Sequence, residues 1–148
     1  MDAPSRSFTI LMADDDQEDC LLIRDAMSLN LMPYDLRTVA DGVELLDYLD
    51  RRGKYEDRRQ SPWPDLILLD LNMPRKDGRE ALGELKADGR WRQIPVVVLT
   101  TSTSDDDVNF SYRTGASSYI AKPSTYQAWV DLVQTLNKYW FELTRLPK

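Results

Sequence analysis

The residues able to do chemistry in this chain stand where apolar runs stop. Asp14 and Asp15 follow Ile10-Leu11-Met12-Ala13, Asp70 follows Leu66-Ile67-Leu68-Leu69, Thr100 follows Val96-Val97-Val98-Leu99, and Lys122 follows Ser118-Tyr119-Ile120-Ala121. If those runs are neighbouring strands of one sheet, three carboxylates, a hydroxyl and an ammonium share a pocket. Carboxylates ~4 Å apart repel by roughly 4 kcal/mol per pair at an effective dielectric near 20, so such a pocket needs cations. Lys122 supplies one charge, and a bound divalent cation is the natural second. All-oxygen ligands and few protein carboxylates favour magnesium, with manganese as a substitute, over zinc.

The rest of the composition removes competing chemistries. His is absent and Cys occurs once, which excludes Ser-His-Asp and Cys-His nucleophiles, histidine acid–base catalysis, His or Cys metal sites and any intrachain disulfide. The lone Cys20 falls among residues at helical spacing and reads as a packed side chain, which suits a reducing cytoplasm. Lys plus Arg number 19 and Asp plus Glu 25, a net charge of -6. That is the wrong sign for a surface that must neutralise phosphates, so no DNA partner is expected. Residues 1–7 are polar and are expected to form a flexible N-terminus. The apolar stretch that follows, Phe8 to Ala13, is too short for a signal core or a bilayer span, so no membrane partner is expected and the protein is placed in the cytoplasm.

The elements that must position these residues follow from periodicity. At 148 residues, 42% hydrophobic and 30% charged, the chain is the size of one domain and can bury about 70% of its unfolded surface. Ile10–Ala13 reads as a strand, Asp14–Asp16 as an acidic turn, and Cys20, Leu22, Ile23, Ala26 and Met27 as a helix face. Leu36–Ala40, the Asp41-Gly42 turn, and Val43, Leu45, Leu46, Tyr48 and Leu49 form a second strand–helix unit. Arg51–Pro64, polar and punctuated by Gly53, Pro62 and Pro64, reads as a surface loop with solvated basic residues. The uninterrupted runs 66–69 and 96–99 are what strands covered on both faces look like. Helices are expected over 79–87, 105–113 and 126–143, and a short fifth strand over 118–121. Five strand-then-helix units predict an α/β fold, a doubly wound parallel sheet of five strands between two helical layers, with its site at the carboxyl ends of the strands.

In that order and at those places, the residues resemble the receiver domains of two-component response regulators, with their flavodoxin-like fold. The likeness runs from about Phe8 to Leu143. It rests on Asp14-Asp15, on Leu68-Leu69-Asp70-Leu71-Asn72-Met73-Pro74 with Asp77-Gly78 behind it, on Thr100 after Ile94–Leu99, and on Gly115–Pro123. It makes residues 8–148 the receiver unit. The resemblance implies that Asp70 accepts a phosphoryl group from a sensor histidine kinase. It implies that Asp14, Asp15, Asp70 and the backbone carbonyl of Asn72 hold magnesium, that Thr100 and Lys122 contact the phosphoryl oxygens, that Thr100 and Tyr119 form the switch, and that Lys122-Pro123 is a cis peptide. The Gly53-Lys54-Tyr55-Glu56 loop, Leu99-Thr100-Thr101-Ser102 and the tail from Tyr139 to Pro147 are similar to single-domain regulators paired with phytochromes, which points to a phytochrome-type kinase as donor.

Other readings compete for the same residues. Asp16 reads as a helix cap or a solvated neighbour. Tyr119 has an alternative as an ordinary packed aromatic, and Trp63 and Trp91 read as covers over apolar surface at element ends. A magnesium-dependent phosphatase with an aspartyl-phosphate intermediate shares the chemistry. Haloacid-dehalogenase-like enzymes, however, want an acid two residues after the nucleophile, where this chain has Asn72, and a cap for which it has no room. A non-phosphorylated adaptor of the same fold is argued against by the intact Asp14, Asp15, Asp70, Thr100 and Lys122. On the last helix, Trp129, Val133, Leu136 and Trp140 form a core stripe. A second stripe, Leu132, Tyr139 and Leu143, lies roughly 70° round from it, either as a homodimer interface on the face of the fourth helix, fifth strand and fifth helix, or as part of a wide core face.

Overall fold

Every apolar run foreseen as a strand is one, and each is followed by a helix. The computed structural model describes residues 8–30 and 34–147, and the expectation for residues 1–7 lies outside the described residues. The order is β1 (Phe8–Ala13), α1 (Gln17–Leu29), β2 (Tyr34–Val39), α2 (Gly42–Asp50), β3 (Leu66–Leu69), α3 (Gly78–Ala87), β4 (Val96–Thr100), α4 (Asp105–Thr114), β5 (Ser118–Ala121) and α5 (Tyr126–Leu136). The strands are all parallel, in the order β2-β1-β3-β4-β5. Side chains alternate across the sheet. Leu11, Ala13, Ile67, Leu69, Val96 and Val98 pack with α2 and α3 on one face. Ile10, Met12, Leu66, Leu68, Val97 and Leu99 pack with α1 and α5 on the other. Because both faces are covered, β3 and β4 have no polar position to alternate with, which explains their unbroken apolar runs. No helix among the described residues is long and apolar enough to cross a membrane.

Side-chain caps start the helices at the carboxyl end of the sheet. Asp16, Asp41, Asp77, Ser104 and Thr125 accept from the first free amides of α1 to α5. Asp16 is thus the cap foreseen for it. α4 is the least anchored of these helices, since Ser111 is its one buried residue.

The structure departs from the sequence reading in two segments. The loop after α2 is not simply solvated: it contains a 3-10 turn, Gly53–Tyr55. The buried Tyr55 ring stands 5.1 Å from that of Tyr48, and Ser61 Oγ donates to the Tyr55 carbonyl at 2.8 Å. One large aromatic in a polar stretch is enough to draw the loop onto the core. Trp91 is buried as a cover, whereas Trp63 stays 43% exposed beneath the Arg51 guanidinium.

The last helix is α-helical only to Leu136 and continues as π-helix over Asn137–Leu143. In that stretch Phe141 stacks on Phe8 with ring centroids 4.1 Å apart and leans on Tyr34. Trp129, Val133 and Leu136 are buried as expected, and Trp140 is half-buried. Leu132, which the sequence left between an interface stripe and a wide core face, packs partly buried against the α1–α5 core. α1 lies alongside α5, where Gln134 Nε2 donates to Asn30 Oδ1 at 2.8 Å, and so widens the covered arc. Tyr139 and Leu143 remain 50% and 67% exposed.

Two glycines mark where the loop after β3 is pressed home. A Cβ on Gly42 would lie 2.4 Å from the Lys76 carbonyl oxygen, and one on Gly78 would lie 2.1 Å from that of Asp70. Gly78→Ala is therefore expected to destabilise the fold by about 2 kcal/mol or more, read as a lower midpoint in urea unfolding.

Candidate functional site

The strand order reverses between β1 and β3, which is where an open α/β sheet leaves a crevice at its carboxyl edge. Pairing of Ala13 with Leu69 puts the next residues, Asp14 and Asp70, side by side, and the Asp70 amide donates to the Ala13 carbonyl at 2.9 Å. β5 delivers the remaining cation in the same way, its Lys122 amide donating to the Thr100 carbonyl at 2.9 Å. Asp14 and Asp70 are 4% and 6% exposed and Thr100 is fully buried. Asp15 is exposed.

Each oxygen of Asp70 has a partner. Oδ1 accepts from Thr100 Oγ1 at 2.8 Å and from the Asn72 amide at 3.2 Å, and Oδ2 accepts from Lys122 Nζ at 3.1 Å. Lys122 Nζ also stands 2.9 Å from Asp14 Oδ2 and 2.8 Å from Asp19 Oδ2. Burial would lower the Lys122 pKa, but contact with Asp19 and Asp14 and the charges of Asp14 and Asp70 outweigh it and raise it, so the ammonium stays charged. For Asp14 burial dominates and pushes its carboxyl up, with the Asp70 charge adding to the effect and Lys122 and the Asp16 amide opposing it.

Asp14, Asp15 and Asp70 each bring a carboxylate oxygen to within 4.8 Å of the others. Asp14 Oδ2 is buried and accepts no well-directed hydrogen bond, the Lys122 ammonium lying close but off the hydrogen-bond line. A buried, under-satisfied carboxylate oxygen in an all-oxygen cluster fits a divalent cation.

The structure thus brings together Asp14, Asp15, Asp70, Thr100 and Lys122. The Lys122-Pro123 peptide, expected to be cis, is trans, since the described chain has no cis peptide. The trans bond already delivers Lys122 to the carboxylates. Tyr119, on β5, packs half-buried against the α2–α3 core, and its hydroxyl donates to the Ser102 carbonyl at 2.8 Å.

Sequence reasoning missed three groups around the site. Asp19 is one; its signal was an acid in the first turn of α1, four residues beyond Asp15. Arg79 and Asp107 are the others, joined through two contacts of 2.7 Å, with Ser102 Oγ donating to Asp107 at 2.6 Å. Arg79 and Ser102 hold the Asp107 carboxyl well down, at about 2. Arg79 also reaches the Leu71 carbonyl and Asn72 Oδ1 at 3.4 Å.

The family model of the response regulator receiver domain matches residues 10–134. The chain belongs to the response regulator receiver family. It is 38% identical over 138 residues to response regulator Rcp1 of Synechocystis sp., an alignment covering 93% of this chain and 92% of the relative. The crystal structure of the phosphorylated cyanobacterial phytochrome response regulator RcpA superposes with a TM-score of 0.89 at 38% identity, covering 97% of this chain and all of that one. The Mn2+-bound form of Rcp1 superposes at 0.85, with 38% identity over 95% of this chain and 99% of that one. As a receiver, the protein is a two-component signalling component rather than a conventional enzyme, and its partner is a sensor kinase. Its fold is the five-stranded receiver fold that the sequence implied.

If the acidic cluster is the cation site, its ligands and its cap must respond differently. Asp15→Ala is expected to weaken Mn2+ binding, followed by tryptophan fluorescence, by about tenfold or more. Asp16→Ala removes a helix cap and is expected to cost about 1 kcal/mol of stability while leaving metal affinity unchanged. Equal losses of affinity would shift the ligand assignment by one residue.

Proposed function

We propose that this receiver takes a phosphoryl group onto Asp70 from a phytochrome-type histidine kinase and signals through a change of surface, in the cytoplasm. The observation that carries this reading is the setting of Asp70. Its buried carboxylate lies at the strand-order reversal between a hydroxyl, an amide and an ammonium, with two further carboxylates beside it. A carboxylate oxygen of Asp70 attacks phosphorus, and the bond from phosphorus to the donor imidazole nitrogen breaks with its electron pair going to nitrogen. Little covalent chemistry is asked of the protein beyond alignment and charge neutralisation. Asp14, Asp15, Asp70 and the Asn72 carbonyl would hold Mg2+, which would supply positive charge to neutralise the phosphoryl oxygens. Thr100 and Lys122 supply the remaining contacts, so the domain promotes only its own phosphorylation and dephosphorylation.

The phytochrome link is supported by the end-to-end similarity to RcpA and Rcp1. The switch pairs Thr100 with Tyr119. Thr100 Oγ1, now on Asp70, turns to the phosphoryl group, and the Tyr119 hydroxyl follows the loop through Ser102. The exposed Tyr139 and Leu143 offer the apolar surface for a homodimer, with Leu132 at its inner margin.

Acetyl phosphate or phosphoramidate with Mg2+ is expected to phosphorylate the wild-type protein in the absence of any kinase and to give a hydroxylamine-labile product. Asp70→Asn is expected to abolish it, and undiminished labelling of that variant would end the acceptor assignment. Leu143→Glu is expected to convert any dimer to monomer in sedimentation without loss of labelling. Unchanged sedimentation of a dimer would move the interface elsewhere.

A further inference from the structure

The Lys122 ammonium stands among three carboxylates of unequal standing. Asp14 Oδ2, Asp19 Oδ2 and Asp70 Oδ2 lie 2.9, 2.8 and 3.1 Å from Nζ. Three carboxylate oxygens crowd the ammonium, so an arriving phosphoryl oxygen competes with them for it. Asp70 is the acceptor itself and carries the incoming group. Asp14, with a side chain only 1% exposed, belongs to the three-carboxylate cluster that suits the cation, and its charge is answered there. The Asp19 side chain is 17% exposed on the first turn of α1 and can be rehydrated when the lysine leaves. Asp19 is also outside the three-carboxylate cluster that suits a cation. Its amide is held by the Asp16 cap at 3.3 Å, which keeps its carboxylate beside the lysine.

We propose that Asp19 is a positioning residue that acts through Lys122: it holds the ammonium in the unphosphorylated protein and competes with the phosphoryl oxygens for it. The inference rests on the reading of Asp70 as acceptor. Asp19 sets how firmly the phosphorylated state is held, because the contact made by Lys122 with the phosphoryl group is gained only against the loss of its contact with Asp19. The same position explains why an acid is placed next to a site already crowded with negative charge: it gives the lysine a resting partner that solvent can reclaim.

The test uses beryllium trifluoride, a phosphoryl mimic, at saturating Mg2+, with affinity read from tryptophan fluorescence and the lifetime of the labelled aspartyl phosphate as a second readout. Asp19→Asn is expected to bind the mimic about threefold to tenfold more tightly and to lengthen the lifetime by a similar factor, the lower part of the range for groups in direct contact. Asp19→Ser should behave alike, and Asp19→Glu should remain close to wild type. Asp16→Asn is the control for general electrostatics, since it removes the same charge from the neighbouring turn, still caps α1 and makes no contact with Lys122. Equal affinity in wild type and Asp19→Asn would overturn the proposal, as would an equal gain in Asp16→Asn. Failure of the wild-type protein to bind the mimic would instead overturn the acceptor reading, and this inference with it.

Discussion

The Lys122 ammonium and the carboxylates of Asp14, Asp15, Asp19 and Asp70 do not balance in charge, and much of the architecture follows from that imbalance. Two of the four carboxylates are nearly buried, where unpaired charge is most costly. The folded chain meets this in several ways at once. It places Lys122 between three of them, burial pushes the Asp14 carboxyl up, and Asp15 is left facing solvent. What is left over is negative charge grouped around a shared point, the property that suits a doubly charged cation and, beyond it, a phosphoryl group.

Holding that charge in register demands close backbone contacts. β1 and β3 are locked by hydrogen bonds up to the residues that carry Asp14 and Asp70. The segment after Asp70 is pressed against its surroundings at both ends, with the Gly42 amide donating to the Lys76 carbonyl and the Gly78 amide to that of Leu71, each at 2.9 Å. Arg75, with φ +64, turns the chain between them, and its guanidinium lies 3.4 Å from Asp41. Asn72 is fixed in consequence, and its amide reaches Asp70.

The opposite wall is looser. α4 buries little and is held by polar contacts: Arg79 of α3 on Asp107, Ser102 on the same carboxylate, and the Tyr119 hydroxyl on the Ser102 carbonyl. A few hydrogen bonds between half-exposed groups can be exchanged at small cost, whereas a packed apolar face cannot. The wall beside Thr100 is thus held by contacts that exchange more readily than the close backbone contacts of the β3 side.

The parallel five-stranded sheet and the meeting of Asp14, Asp15, Asp70, Thr100 and Lys122 were legible in the sequence, because an unbroken apolar run marks a strand covered on both faces and an abrupt polar stop marks its end. The Asp16 cap of α1 was legible for the same local reason. The winding of the tail after Leu136 was not, since it accompanies the seating of Phe141 on Phe8 and Tyr34, more than a hundred residues away in the chain. The half-burial of Leu132 depends on where α1 lies, and the seat of Tyr55 on the Tyr48 ring. No local pattern singled out Asp19 or Arg79. Only the tertiary structure made one a partner of Lys122 and the other a partner of Asp107. The sequence by itself determined which groups stand at the carboxyl edge, because pattern and capping act between near neighbours. Which charges pair across that edge was decided by the packing of the helices, because it is set by distances that no local pattern contains.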